Sequence, residues 1–549
     1  MKHKVKEGLS SLVSSPWLYR LAVLVVAAWL GFRITRAVDL SDEAYYAVFL
    51  DDWLKEGIEA SPFLVLHQTA ALLLYPATLM FRWATGATDG LILFLRVLYV
   101  VGAGIAAISV GMLLGRLGMQ RQAWLAAAMV LAFIPFGLPA PSYNTVGEQA
   151  TMVALASIGG ALIERPRRVL WLLCSGAAWA VATVAHPAMF FVLGTLLLLL
   201  FVLGGSFRVV LPIYGVIVAS GQAVAWGCVI AVLTPSRIVE SIAYHSSISG
   251  QFDIGGKASL MVELLVQSAG FTVLAGAALV IGSLRNWTNQ TAVTTSVLFI
   301  SIAFFPAALF THSHDAMLLA ALSGAGIVAG FSVGAPLSAR LLAVLYATSM
   351  VAGAVMAVTA TYGLYSFPVG GALAGILAVT SYRQILPSVC VLAAFIWGST
   401  SLYYGEWPDE AREGREWVTH GVFAGLKAKQ TTARIVREAD LALNKYSDAG
   451  DTIAVVGRLS GLYLLTPARP RALMPFALTT FASRSGLLAT YRYYAASKPT
   501  VVATYEDQYF APINPFGASF DEWYELVDRR ATPPGTLSIY RRREAAGGG

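Results

Sequence analysis

Residues 39–46 read Asp-Leu-Ser-Asp-Glu-Ala-Tyr-Tyr and combine two adjacent carboxylates with two phenol rings. A positioned carboxylate can take the proton from a hydroxyl as that oxygen forms a new bond, so Asp42 and Glu43 are candidate catalytic residues. Adjacent residues on a helix point about 100° apart, so one can face a cavity while the other orients it or binds elsewhere. Tyr45 and Tyr46 add ring surface of the kind that lines sugar or lipid sites.

The same residues have a purely structural interpretation. Ser41 can cap a helix whose first turn holds Asp42 and Glu43, where the helix dipole favours negative charge. The sequence leaves both interpretations open.

A second polar group interrupts an apolar part of the chain. Asn144 and Glu148 are one helical turn apart, so both can face one cavity and contact a ligand there. Polar groups at that depth are costly unless they are paired or functional. His186, followed by proline, breaks an apolar run, which indicates a turn between spans with a substrate role open.

Two further segments could contact an anionic substrate. Arg237 and His245 lie in a stretch whose apolar spacing predicts an interfacial helix, so Arg237 would touch either a phosphate or a lipid headgroup. In the segment 311–315, Thr-His-Ser-His-Asp, Asp315 with His312 or His314 could bind a metal, phosphate or sugar, or simply form a hydrogen-bonded loop. We expect no obligatory cofactor, and a divalent metal stays open.

The elements that would position these residues follow from composition. The chain has 549 residues, of which 57% are hydrophobic and only 13% charged, about half the usual charge content. That excludes a disordered protein, a nucleic-acid-binding module and an ordinary cytosolic enzyme.

The apolar residues fall in runs long enough to cross a membrane. We predict about thirteen transmembrane helices, and the run Phe63–Trp83, which contains His67, as a helix in the outer interface. The approximate span centres are Val25, Val101, Ala128, Leu155, Ala178, Leu197, Ile217, Thr272, Ser301, Ser323, Met350, Leu373 and Val391.

Charge orients these spans in the cytoplasmic (inner) membrane. With the N-terminus inside, every predicted inner connection carries at least one arginine, as the positive-inside rule requires. The carboxylates collect outside instead. The inner arginines are Arg116, Arg121, Arg165, Arg167, Arg168, Arg208, Arg285, Arg340 and Arg383.

The composition changes after Tyr403, where charged residues follow in quick succession. We predict a membrane domain over 1–403, with an outer-face loop at 34–87, and an extracytoplasmic (periplasmic) α/β domain over 404–549. Within the second domain, a helix is expected over 410–444 and a helix start within 457–465. The runs 452–456, 500–504 and 537–540 predict strands.

The motif at 42–46 resembles the Asp-Glu-x-x-Tyr signature of the GT-C membrane glycosyltransferases, in the bacterial branch of the aminoarabinose transferases and the relatives of protein O-mannosyltransferases. Gly57, Arg96 in the second span, and the segment Tyr463-Leu-Leu-Thr-Pro-Ala-Arg-Pro are also similar to that branch. The segment Val65-Leu-His-Gln-Thr departs from it, which puts donor or acceptor contacts near His67 in doubt.

The resemblance implies a transfer reaction. A sugar would pass, with inversion, from a polyprenyl-phosphate carrier to a lipid, polysaccharide or protein acceptor on the outer face, with Asp42 as the general base. The implied partners are the lipid-linked donor, membrane lipids and a cell-envelope acceptor, with no nucleic acid. Arg96 would pair with a carboxylate inside the bundle or contact substrate.

Two other functions fit many spans and an acidic outer face. The alternative is a transporter or flippase of a lipid-linked sugar, although no internal repeat is visible. A polymerase or ligase of surface polysaccharide would share the donor type but not the Asp-Glu loop.

Overall fold

The computed structural model consists of a bundle of apolar helices and an α/β unit formed by residues near the end of the chain. It describes residues 16–64, 68–248, 313–324, 334–359, 363–381, 391–396, 414–475, 484–507, 519–532 and 534–543, with a few isolated positions.

The first part of the described chain is helical. Its helices are α1 (Pro16–Arg33), α2 (Asp42–Glu56), α3 (Gln68–Thr85), α4 (Leu91–Arg116), α5 (Gln120–Ala132), α6 (Tyr143–Ile163), α7 (Arg168–Ala185), α8 (Met189–Leu203), α9 (Ser206–Leu233), α10 (Pro235–Ile248), α11 (Ser313–Ser323), α12 (Leu337–Thr359) and α13 (Phe367–Ser381). By length and composition, five of these described helices could cross a membrane, namely α4, α6, α7 with its preceding turn, α9 and α12. The fold class predicted from the sequence, a polytopic helical membrane protein with a C-terminal α/β region, is confirmed.

Helix α9 shows why these helices need a lipid environment. Its side chains Val209, Val216 and Val224 are 69%, 67% and 68% exposed. Apolar side chains in such a row are stable outside a protein core only where the solvent is hydrocarbon.

The described helices match many of the predicted span centres. Helix α3 contains Pro76 and covers most of the run expected to form one helix before the second span. The expected centres Thr272 and Ser301 lie outside the described residues, and the total of thirteen spans stays a prediction.

One end of the bundle joins two of the predicted inner connections. Glu164 lies 2.8 Å from the Arg116 guanidinium and 3.6 Å from that of Arg167. The Trp171 indole also donates to Glu164, at 3.0 Å. These contacts place the end of α4 beside the start of α7, at the opposite end of α4 from Arg96.

The α/β unit contains the strands β1 (Arg415–Trp417), β2 (Lys427–Lys429), β3 (Thr452–Val456), β4 (Arg469–Pro470), β5 (Val501–Asp507), β6 (Tyr524–Thr532) and β7 (Gly535–Arg542). Its helices are α14 (Gln430–Tyr446), α15 (Arg484–Ser497) and α16 (Phe520–Trp523). The main sheet has the order β4-β3-β5-β7-β6, with β3 parallel to both β4 and β5 and with β7 antiparallel to both its neighbours.

The sequence predictions for this unit were partly right. The three expected strands are present as β3, β5 and β7. The expected helix over 410–444 is wrong in its first half, because residues 415–417 and 427–429 pair as an antiparallel ribbon before α14 begins. The expected helix after Gly457 is only a 3₁₀ turn, Ser460–Leu465.

The α/β unit and the segment between α1 and α4 share one hydrophobic core. Backbone bonds also join them: the Ala37 N–H donates to the Lys427 carbonyl at 3.0 Å, and the Leu64 N–H donates to the Leu473 carbonyl at 2.8 Å. The predicted boundary at 403/404 lies outside the described residues. The shared core includes Val38, Ala44, Phe49, Leu91, Phe423, Ile453, Tyr463 and Val502, all at most 2% exposed.

Candidate functional site

Helix α2 begins at Asp42, as the sequence predicts, but its cap is not Ser41. Ser41 occupies the capping position without a side-chain bond to the helix. Instead the Asp39 carboxylate accepts the Ser41 N–H at 2.9 Å, the Ser41 hydroxyl at 2.6 Å and the Glu43 N–H at 2.8 Å. The expectation for Ser41 is wrong because the Asp39 carboxylate, and not the Ser41 hydroxyl, accepts an N–H of the first turn, that of Glu43.

Glu43 faces the interior of the protein. Arg96 Nε and Nη2 each donate to one oxygen of the Glu43 carboxylate, at 2.6 Å. Burial raises the pKa of the Glu43 carboxyl, and the Arg96 guanidinium offsets part of that rise. Both side chains are buried, so Glu43 serves here as the partner of Arg96.

Arg96 also holds the turn that leads from α1 to α2. Its Nη1 donates to the carbonyls of Ile34 at 2.8 Å and Arg36 at 2.7 Å, and its Nη2 donates to the Ala37 carbonyl at 3.1 Å. All the donor groups of this guanidinium therefore have protein acceptors. The sequence expectation that Arg96 pairs with a carboxylate inside the bundle agrees with this geometry.

Asp42 differs from its neighbours in exposure. Its side chain is partly exposed, whereas residues 43–54 are all buried. Asp42 is thus the one partly exposed residue of the first turn, at the start of a helix whose residues 43–54 are enclosed by protein. The turn that leads into this helix is held by Asp39 and Arg96.

Aromatic rings lie next to Asp42. The Tyr45 ring packs edge-on against Tyr46 and Phe49, with centroid distances of 5.5 Å and 5.3 Å. Burial, with a smaller contribution from the Asp42 charge, raises the pKa of both Tyr45 and Tyr46 well above the usual value. Both phenols are therefore neutral at physiological pH and can act only as hydrogen-bonding groups and apolar surface.

Tyr46 connects this helix to the start of α6. Its hydroxyl accepts the Tyr143 N–H at 3.1 Å. Ser142 caps α6 with Thr145 in a reciprocal capping box. The first turn of α6, which carries Asn144, is thereby held against α2.

Asn144 and Glu148 are both buried near this helix start. The Asn144 Oδ1 atom has no hydrogen-bond partner among the described residues. Glu148 is 5% exposed. A buried acceptor without a donor is expensive, which is typical of a position that a ligand or water completes.

His186 packs on the other face of the same turn. Its ring centroid lies 5.2 Å from that of Tyr143, and its Nε2 lies 3.2 Å from the Thr359 hydroxyl. In this connection between helices, burial lowers the pKa of the His186 imidazole to about 4, so it is neutral at pH 7. Asp42, Tyr45, Tyr46, Asn144, Glu148 and His186 therefore belong to elements that meet.

The Arg237 guanidinium donates hydrogen bonds to backbone carbonyls. Its Nη1 donates to the carbonyls of Ile58 at 2.9 Å and Glu59 at 3.4 Å, and its Nη2 donates to those of Ser61 at 2.8 Å and Phe63 at 3.2 Å. Two of its nitrogens thus hold the segment 58–63 against α10.

The His314 ring is hydrogen-bonded through both of its nitrogens. Its Nε2 accepts the Phe136 N–H at 2.7 Å, and its Nδ1 lies 2.7 Å from the Tyr365 carbonyl. The ring stacks on Tyr365 at 4.6 Å. This arrangement fits a neutral imidazole that donates from Nδ1.

Four other candidate residues lie beyond what the structure describes. His67 and His312 are outside the described residues, and the side chains of His245 and Asp315 are too. Among the described residues, no group of three or more His, Cys, Asp and Glu side chains is placed to hold a metal ion.

Several residues that shape this region escaped the sequence analysis. Asp39 could have been suspected as a cap because it lies three residues before the helix start. Tyr143 precedes the polar pair on α6, but its bond to Tyr46 has no sequence signature. Ser460 and Gly461, which contact the turn before Asp42, are more than 400 residues away in sequence.

No family model matches the sequence, and no curated protein matches it either. Among solved structures, the chain is similar to the crystal structure of ArnT from Cupriavidus metallidurans in the apo state. The identity is 14%, the match covers 97% of this chain and 98% of that one, and the TM-score is 0.46. What the site does therefore rests on its own residues.

Proposed function

We propose that this protein is a membrane glycosyltransferase that uses Asp42 as its general base. The observation that carries the proposal is the position of Asp42, a partly exposed residue at the start of a buried helix whose entering turn is fixed by Asp39 and Arg96. The similarity of residues 42–46 to the GT-C signature supports the same conclusion. The class of reaction would be sugar transfer from a polyprenyl phosphate to a hydroxyl of a cell-envelope acceptor.

The proposed reaction is a direct displacement. The acceptor oxygen bonds to the anomeric carbon while the bond from that carbon to the phosphate oxygen breaks. The proton of the acceptor hydroxyl passes to Asp42, and the leaving group departs as the lipid phosphate. A single displacement inverts the anomeric centre, and Glu43, paired with Arg96, has no covalent role in it.

The surrounding residues suit a sugar ligand. Tyr45, Tyr46 and Tyr143 supply ring surface, which packs well against the apolar faces of sugars. Asn144 and Glu148 supply buried acceptors for sugar hydroxyls. We assign no contact to the leaving phosphate from Arg237, because two of its nitrogens already bind backbone carbonyls.

The test is a transfer assay in detergent. Purified protein would be incubated with polyprenyl-phosphate-linked aminoarabinose, galacturonate, mannose or arabinofuranose and with cell-envelope extract as acceptor, and released polyprenyl phosphate would be measured. We expect Asp42→Asn to reduce release by about 10² to 10⁴-fold. Asp89→Asn, at an exposed aspartate, is the matched control.

The same assay distinguishes a glycosyltransferase from a flippase. A flippase would move the lipid-linked sugar across vesicles without releasing polyprenyl phosphate. Undiminished release by folded Asp42→Asn protein would exclude Asp42 as the base.

The proposed location places the α/β unit on the outer face of the inner membrane. Gly450 is an exposed position in this unit. In a variant without native cysteines, Gly450→Cys should react with a membrane-impermeant maleimide in intact cells. Reaction only after the cells are broken open would contradict this orientation.

A further inference from the structure

The turn Ser460–Leu465 of the α/β unit lies against the start of α2. The Gly461 N–H donates to the Leu40 carbonyl at 2.8 Å, and the Ser460 hydroxyl donates to the Ser41 carbonyl at 2.6 Å. Ser460 is completely buried. These bonds reach the two residues that immediately precede Asp42.

The consequence for Asp42 follows from peptide geometry. A peptide group is planar, so fixing its carbonyl or its N–H fixes the whole plane. The plane between residues 41 and 42 is held through the Ser41 carbonyl, which accepts the Ser460 hydroxyl at 2.6 Å and the Tyr45 N–H of the helix at 3.0 Å. The plane between residues 42 and 43 is held through the Glu43 N–H by Asp39, at 2.8 Å. Both peptide planes that flank Asp42 are therefore anchored, one of them from the α/β unit.

The side of the turn that faces α2 leaves no space for a larger residue. A Cβ atom at Gly461 would lie 2.9 Å from Leu40 Cδ2 and 3.2 Å from the Ala44 methyl. Glycine at this position allows the turn to approach α2 closely enough for the two hydrogen bonds. The far side of the turn is held by Tyr463, whose hydroxyl accepts the Val455 N–H at 2.8 Å.

We propose that Ser460 and Gly461 are positioning residues for Asp42, so that the α/β unit forms part of the reaction centre. The proposal rests on the proposed role of Asp42 as the base. A general base that is displaced by about 1 Å loses much of its contribution to the rate. Loss of the contacts from the α/β unit should therefore lower kcat.

The first measurement does not depend on activity. Hydrogen exchange of the amides 42–46 would be followed in the full-length protein in detergent. We expect Ser460→Ala and Gly461→Ala to accelerate exchange by about fivefold, the size expected for one lost hydrogen bond. Ser460→Thr, which keeps the hydroxyl, should restore most of the protection.

Two control variants lie in the same unit away from α2. Ser447 is also buried and donates instead to the Leu443 carbonyl at 2.6 Å. Gly450 has open space around it. Ser447→Ala and Gly450→Ala should leave the exchange of residues 42–46 at the wild-type rate.

The second measurement is the transfer assay. We expect Ser460→Ala and Gly461→Ala to lower kcat about tenfold or more with little change in KM. Unchanged exchange of residues 42–46 in both variants would overturn the positioning role. Faster exchange without any loss of kcat would also overturn it. Full transfer by Asp42→Asn would instead overturn the proposed function, so the two failures are distinguishable.

Discussion

The Arg96 guanidinium holds the Glu43 carboxylate by two bonds of 2.6 Å, and each side chain is 1% exposed. This ion pair joins α4, a helix long enough to cross the membrane, to the first turn of α2. Because Arg96 also binds three carbonyls of the turn 34–37, one side chain fixes the path of the backbone toward Asp42.

Replacement of Arg96 should be costly. Arg96→Ala leaves the Glu43 carboxylate buried without a partner, for which we expect a loss of about 3–5 kcal/mol in the free energy of unfolding. Arg96→Lys should recover little of this lost stability, because an ammonium group cannot form the two parallel hydrogen bonds to the Glu43 carboxylate. The measurement is denaturant unfolding in detergent, with the exposed Arg165→Lys as the control. A wild-type transition in Arg96→Ala would contradict this account.

Asp52 should make stability depend on pH. This carboxyl is 3% exposed, and burial raises its pKa from 3.8 to about 6. The Ser61 hydroxyl and the Lys55 charge oppose this rise, and the charges of Asp51 and Glu56 add to it. The folded state binds the proton more tightly than the unfolded state. The resulting stabilisation is complete below about pH 4 and is lost as the pH rises through 6.

Asp52→Asn tests this directly. The side-chain amide introduced here stays neutral, so the stability of this variant should not fall between pH 4 and pH 6 through this group. In the wild type the fall in the free energy of unfolding amounts to at most about 3 kcal/mol. The measurement is the free energy of unfolding of both proteins at pH 4 to 8. The exposed Asp89→Asn should keep the decline, and parallel curves for wild type and Asp52→Asn would disprove the assignment.

His314 should matter for stability. His314→Ala leaves the Phe136 N–H and the Tyr365 carbonyl without their present partner and removes a stacked ring. We expect a loss of about 2–4 kcal/mol. Thermal unfolding in detergent would measure it, and His420→Ala, at an exposed histidine, should have little effect. A stable His314→Ala protein would show that these bonds are dispensable.

Arg237 should control the order of residues 58–63. Arg237→Lys keeps the charge but cannot bind four carbonyls in one plane. We expect the amides of residues 58–63 to exchange about tenfold faster in this variant. Glu240→Gln, one turn further along α10, is the comparison. If exchange in this segment is unchanged, the four bonds are not holding it.

The sequence predicted the helices and strands better than it predicted which side chains contact one another. Long apolar runs specify membrane helices because lipid requires about 20 apolar residues. The short β-branched runs 452–456 and 500–504 correctly predicted β3 and β5, and the expected final strand at 537–540 is β7. The interval before α14 was misjudged because the helical spacing of the stretch 410–444 was extended over its first half, whereas residues 415–417 pair with residues 427–429 as a two-stranded ribbon.

The candidate site shows the same limit. Asp42 and Glu43 are adjacent, so the helix period predicts that they diverge, and they do. Which of them is enclosed depends on Arg96, and that depends on how α4 packs. Arg237 was expected to contact a phosphate or a lipid headgroup, because nothing in its own segment reveals the carbonyls of residues 58–63 that it binds. The bond between Ser460 and the Ser41 carbonyl spans 419 positions, beyond the range of any local pattern.

That separation has a consequence for biosynthesis. Ribosomes add about 5 to 20 residues each second, so some 20 to 80 seconds pass between the synthesis of Ser41 and that of Ser460. During this interval the apolar surface of α2 lacks the part of its core that comes from the α/β unit. A nascent chain must shield that surface by other means, and the protein acquires its assembled reaction centre only late in its own synthesis.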